Sequence, residues 1–145
     1  MRPSRQETLL EVARVVGLRG TCDRKQVGAV IAREGRIISV GYNGAPPGLP
    51  HCDENQHGYP DALIVNPEVG CRNATHAEAN ALAFAAKYGV PTDEATLYVT
   101  VSPCLDCARL LIAAGILKVC FLEEYRNRDG IDLLNQAHIP TYIYS

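Results

Sequence analysis

Thr96-Leu97-Tyr98-Val99-Thr100-Val101-Ser102-Pro103-Cys104-Leu105-Asp106-Cys107 takes an apolar, β-branched run through a Ser-Pro pair and into a C-x-x-C. The run predicts a strand near 96–100. Ser102 as N-cap and Pro103 as first helical residue then predict a helix over 103–114. Cys104 and Cys107, three apart, share one side of that helix. The positive end of a helix favours the thiolate form that a metal requires.

Elements of the same kind lie on either side. Upstream, Thr75 is a reasonable cap, and Ala77, Ala79, Ala81, Leu82, Ala83, Ala85 and Ala86 favour helix, which predicts a helix over 75–88 that opens at His76. Downstream the pattern predicts a strand near 117–122, a helix near 130–137 and a strand near 140–144. Nearer the N-terminus, Glu7 to Gly17 reads as a helix. Val27–Ala32 and Arg36–Gly41, placed around Glu34-Gly35, read as a hairpin. Between this hairpin and the helix at 75 runs a proline-rich, aperiodic segment, 43–74, of a length that compact domains tolerate when it is functional or tied down. Helices alternating with short strands predict an α/β layered domain with right-handed crossovers. In that layout the helices bearing His76 and the two cysteines start at the same end of the sheet. Neither an internal repeat nor a linker interrupts 1–145, which reads as a single domain.

His76, Cys104 and Cys107 are an imidazole and two thiolates, the ligand types zinc prefers. Three protein ligands leave the fourth tetrahedral position for a water molecule. Glu78 is too close to His76 to share its helical side, so it approaches that water from another direction, as a proton shuttle must. The spacing H-x-E followed by P-C-x-x-C, with 28 positions from His76 to Cys104, is the signature of nucleobase deaminases, in which zinc-activated water attacks an amino-bearing ring carbon. A lone C-x-x-C more often marks a structural zinc knuckle or a redox pair, and a lone His-x-Glu means little. Order and combination separate this pattern from those.

Composition narrows the partners. The chain has 145 residues and a net charge of −2, with no dense Lys/Arg stripe. Binding to long nucleic acid draws most of its affinity from phosphate neutralisation by clustered basic residues, so the charge pattern favours a small substrate. Glu11 and Arg14 interrupt the apolar run Leu9–Val16, which therefore lacks the core of a signal peptide or membrane span and reads as an amphipathic helix of a cytoplasmic protein. The six cysteines then point to metal or buried thiols before disulfides.

Over nearly its whole length the chain resembles a deoxycytidylate (dCMP) deaminase of the zinc-dependent cytidine deaminase superfamily. The resemblance runs through Cys22–Ile31, Gly41-Tyr42-Asn43-Gly44-Ala45-Pro46-Pro47-Gly48, His76–Ala81 and Tyr98–Cys104. It implies a three-layer α/β/α fold with a mixed five-stranded sheet. It also implies hydrolysis of dCMP to dUMP and ammonia, feeding thymidylate synthesis. His76, Cys104 and Cys107 would hold the catalytic zinc, and Glu78 would shuttle protons. Asn43, the Ala77 backbone, Tyr125 and Arg126 would contact substrate, the last two by stacking on cytosine and holding the 5′-phosphate. Arg128 reads as solvated loop charge. Family members commonly form homohexamers, activated by dCTP and inhibited by dTTP. This places an effector site at Tyr42 to Gly48, involving Tyr42, Asn43 and Gly44 with Arg24 and Lys25 nearby, and Mg2+ accompanying a triphosphate. Zinc ligands alone would also fit deaminases of cytidine, guanine, transfer-RNA adenosine or a riboflavin precursor; a zinc-stabilised nucleotide-binding module without turnover is the non-enzyme alternative.

Cys22, Cys52 and Cys71 lie outside the catalytic motif, close in sequence to His51 and His57. Three thiolates and one imidazole complete a closed structural zinc site that would pin the long segment, and some phage and bacterial relatives carry one. His57 is favoured over His51, whose neighbour Cys52 would have to ligate beside it. Three unpaired buried thiols are the alternative. Cys120, within Val119-Cys120-Phe121-Leu122, reads as an ordinary core residue.

Overall fold

The computed structural model describes residues 1–22, 25–51 and 74–144. Arg24, Cys52, His57 and Cys71 lie outside the described residues, and so does most of segment 43–74. The chain runs α1 (Arg5–Gly17), β1 (Gly28–Arg33), β2 (Arg36–Tyr42), α2 (Ala77–Lys87), β3 (Thr96–Val101), α3 (Leu105–Ala113), β4 (Lys118–Glu123), α4 (Asp129–Gln136) and β5 (Thr141–Ile143). The five strands form one sheet in the order β2-β1-β3-β4-β5. β1 is antiparallel to both β2 and β3, while β3, β4 and β5 run parallel, so the sheet is mixed.

Successive strand residues face opposite sides of a sheet, and both sides here are covered. Ala29, Ile31, Leu97, Val99, Val119 and Phe121 point to one face, where they pack with Ala77 and Ala81 of α2, Ala108 and Leu111 of α3, and Ile131 and Leu134 of α4. Their neighbours Val30, Ala32, Tyr98 and Cys120 point to the other, beneath Leu9, Leu10 and Ala13 of α1. The result is the expected three layers, with Cys120 fully buried in the core. Burial on both faces explains why β1 and β3 read as nearly continuous apolar runs.

α1 begins earlier than its apolar pattern predicts. Ser4 accepts a hydrogen bond from the Glu7 N–H at 3.1 Å while the Glu7 carboxylate accepts from the Ser4 N–H at 2.8 Å, a capping box. The hairpin turns through Glu34 and Gly35, both with positive φ (53° and 77°), as a two-residue turn requires.

β2 and β3 are parallel, because each is antiparallel to β1 between them. α2 therefore leaves the C-terminal end of β2, and α3 leaves the same end of the sheet after β3. That is the end at which open α/β sheets bind ligands. Backbone proximity holds α2 there: a Cβ on Gly41 of β2 would lie 2.4 Å from the Ala77 carbonyl oxygen and 2.6 Å from the Ala81 nitrogen. Only glycine permits this contact.

Candidate active site

The two helix starts fall later than the capping rules predict. α2 has His76 as its N-cap, with φ −66° and ψ 151°, and α3 has Cys104, with φ −73° and ψ 174°. Neither side chain caps its own helix. Thr75 and Ser102, the expected caps, have other tasks. Thr75 donates its N–H to the Gly44 carbonyl at 2.8 Å and accepts from the Gly44 N–H at 3.2 Å. The Ser102 Oγ accepts from the Tyr125 N–H at 2.7 Å. Cys104 is consequently outside the first helical turn, and only Cys107 is within it.

The two N-cap side chains turn toward each other. His76 Nδ1 lies 3.4 Å from Cys104 Sγ and 3.3 Å from Cys107 Sγ, and the three donor atoms all fall within 4.8 Å of one another. Bonds of about 2.3 Å to sulfur and 2.0–2.1 Å to nitrogen set sulfur and nitrogen roughly 3.6 Å apart in a tetrahedral zinc centre. The observed spacing and the N/S donor set fit zinc. Among the described residues, this is the one group of His, Cys, Asp and Glu side chains close enough to hold a metal ion. Cys107 is buried, Cys104 half-buried and His76 exposed, so the cluster opens to solvent on the His76 side.

The protons of the cluster are redistributed. The Cys104 thiol is lowered well below its usual range, chiefly by the hydrogen bond from Cys107 and then by His76. Cys107 is raised by that same hydrogen bond and by burial. His76 is lifted to about 8, mainly because its ring N–H donates a hydrogen bond to Cys104. Binding a cation requires the deprotonated forms of these ligands, so metal uptake would release protons from the cluster.

Glu78, at 4 % exposure, is one of few buried polar residues in the described chain. Burial raises its carboxyl to about 7, opposed by its own backbone N–H and by His76. A carboxyl there exchanges a proton readily near neutral pH. It sits in the first turn of α2, beside the ligand cluster.

The other expected site residues are distributed as follows. Asn43 is buried: its Oδ1 accepts the Val27 N–H at 2.8 Å and its Nδ2 donates to the Lys25 carbonyl. Each amide atom retains capacity for one further hydrogen bond. Ala77 is fully buried at the start of α2. Lys25 pairs with Glu123, and Arg19 stands 5.8 Å over the Tyr42 ring. The Arg126 guanidinium lies 5.4 Å from the centre of the Tyr125 ring, and Arg128 pairs with Glu124 at 2.6 Å, the solvated role expected of it. Cys22 is buried.

One brace has no counterpart in the expectations. Asn80 Nδ2 donates to the Tyr42 carbonyl at 2.6 Å, fastening α2 to the Gly-Tyr-Asn-Gly segment. The signal was present in the chain: Asn disfavours helix interiors unless its side chain bonds elsewhere.

A layered α/β domain with a His-Cys-Cys cluster and a buried carboxylate at the strand ends has the architecture of a metal-dependent deaminase. The family model for the cytidine and deoxycytidylate deaminase zinc-binding region matches residues 3–123. The chain belongs to this family. It is 35% identical to the deoxycytidylate deaminase of Enterobacteria phage T2, over 93% of this chain and 89% of that one. It is 38% identical to ComE operon protein 2 of Bacillus subtilis (strain 168), over 95% of this chain and 70% of the other. The dCMP deaminase of cyanophage S-TIM5, solved in complex with dCMP and dUMP, superposes with a TM-score of 0.83 at 32% identity, covering 99% of each chain. The expected α/β/α fold and zinc-deaminase class are thereby borne out.

Proposed function

We propose that this protein hydrolyses dCMP to dUMP and ammonia, with His76, Cys104 and Cys107 holding zinc and Glu78 moving the protons. The observation that carries this reading is the convergence of the two N-cap side chains and Cys107 into a zinc-sized cluster beside a buried Glu78, in a chain similar end to end to a dCMP deaminase solved with dCMP and dUMP. Zinc, when bound, polarises water and makes it nucleophilic at neutral pH. The chain's residues do the rest. Glu78 would take one proton from the attacking water and deliver it to ring N3, then take the second from the new C4 hydroxyl and pass it to the departing amine, which leaves as ammonia as the C4 carbonyl forms. Its burial keeps bulk water from competing for the transfer. The Ala77 backbone and Asn43 orient the nucleoside, while Tyr125 and Arg126 contribute stacking and phosphate recognition.

Further parts of the reading rest on the same footing. Effector control by dCTP and dTTP, with Mg2+ on the triphosphate, is assigned to Tyr42, Asn43 and Gly44 with Arg24 and Lys25. Its support is the Gly44–Thr75 bridge, through which a ligand that displaces this segment acts on His76. A structural zinc on Cys22, Cys52, His57 and Cys71, a homohexamer of single-domain chains, and a cytoplasmic role in thymidylate supply complete the proposal. No helix of the described residues is long and apolar enough to cross a membrane.

A substrate panel tests the central claim. Ammonia release from dCMP, and not from cytidine, guanine or adenosine, is the expected result; release from any of the others at a higher kcat/KM overturns it.

A further inference from the structure

The segment after β4 is held beside the cysteine ligands at both of its ends. At its start, Ser102 donates its N–H to the Glu123 carbonyl at 2.9 Å, and its Oγ accepts the Tyr125 N–H at 2.7 Å. These two bonds extend the parallel β3–β4 pairing beyond its last partners, Val101 and Glu123. At its far end the segment enters α4, and a Cβ on Gly130 would lie 2.1 Å from the Pro103 carbonyl oxygen and 2.8 Å from the Cys104 carbonyl carbon. The segment is therefore anchored at both ends on residues 102–104, the loop that presents Cys104. Ser102 is 3 % exposed, so its hydroxyl has little water to substitute for the Tyr125 amide.

We propose that Ser102 is a positioning residue for substrate: its hydroxyl fixes the Tyr125 backbone and so sets where the Tyr125 ring and the Arg126 guanidinium meet the nucleotide. This inference rests on the dCMP reading and on the roles given there to Tyr125 and Arg126. Ser102 touches neither the metal cluster's donor atoms nor Glu78 among its hydrogen bonds. Its loss therefore acts on binding, with the proton-transfer step unaltered. The Arg126 guanidinium contacts the Tyr125 ring, so a shift of Tyr125 is passed to Arg126.

The test compares wild-type, Ser102→Ala and Ser102→Thr proteins for zinc content, steady-state dCMP kinetics and amide exchange at Tyr125. Ser102→Ala is expected to keep its zinc and its kcat within about twofold while KM for dCMP rises roughly three- to tenfold, the scale of one hydrogen bond. Tyr125 amide exchange should accelerate in Ser102→Ala and return toward wild type in Ser102→Thr, which retains the hydroxyl. An unchanged KM in a zinc-loaded Ser102→Ala protein overturns the proposal, as does a parallel fall in kcat and zinc content. If Ser102→Ala does not fold, Ser102→Thr and wild-type exchange decide: a Tyr125 amide exchanging as fast as an exposed loop amide in the wild type overturns the anchor. Wild-type protein that fails to turn over dCMP defeats the substrate reading, and Tyr125 exchange still reads the anchor by itself.

Discussion

Gly44 and Thr75 exchange both of their backbone hydrogen bonds, at 3.2 and 2.8 Å, and so bolt the Gly-Tyr-Asn-Gly segment to the residue before His76. The closeness has a steric condition on the far side of Gly44, where a Cβ would lie 2.5 Å from the Thr21 hydroxyl. Gly44→Ala should therefore destabilise by about 1–3 kcal/mol through overpacking. Thr21→Ala alone loses the hydroxyl that accepts the Ala45 N–H, yet in the Gly44→Ala background it opens the space the new methyl needs. A thermal-denaturation double-mutant cycle should show the pair coupled by about 1 kcal/mol or more. Simple additivity of the two losses would refute the clash.

Glu78→Gln preserves shape and removes the proton-accepting oxygen. With Glu78 as shuttle and not ligand, the variant should retain zinc and lose about 10²–10⁴ in kcat. Metal content by atomic absorption, read beside kcat, separates the roles. Loss of zinc in step with activity would make Glu78 a ligand.

How far the chain could be read before its structure was known differs element by element. The three layers were readable because the nearly continuous apolar runs within 29–32 and 96–101 suit strands covered on both faces, and the alternation of helices and strands leaves little other arrangement. The meeting of His76 with Cys104 and Cys107 followed from topology, since both helices leave the same end of the sheet. The caps were not readable. Thr75 and Ser102 have the right chemistry, but the Thr75 backbone is paired with Gly44 and the Ser102 hydroxyl with Tyr125, which are 31 and 23 positions away. Local propensity carries no information about partners so distant in the chain. The same holds for Asn43, whose burial follows from the path of 25–27 around it.

Metal removal offers a third check. The donor set of one nitrogen and two sulfurs selects zinc over magnesium. Chelation should abolish dCMP turnover, with zinc restoring it and magnesium failing to do so. The proposed four-residue structural site adds a stoichiometric expectation: wild-type protein should carry two zinc ions per chain and Cys104→Ala one. One zinc in the wild type and none in Cys104→Ala would remove the structural ion from the proposal.

Gly130 is where α4 is pressed onto the ligand loop, with the Pro103 carbonyl oxygen 2.1 Å from the point an added methyl would occupy. The obstacle is backbone, which yields less readily than the end of a side chain, so Gly130→Ala must push either α4 or the Pro103–Cys104 loop. α4 is anchored through Ile131 and Leu134, both buried in the larger core. Pro103 is buried too, but Cys104 after it is half-buried and its carbonyl accepts the Ala108 N–H as the cap of α3, so a push on Pro103 is carried to the Cys104 ligand. Gly130→Ala is therefore expected to weaken zinc retention against a competing chelator at least tenfold, about 1.4 kcal/mol or more, while circular dichroism remains that of the wild type. Unaltered zinc retention, with the cost appearing only as a lower unfolding temperature, would show that α4 moves instead.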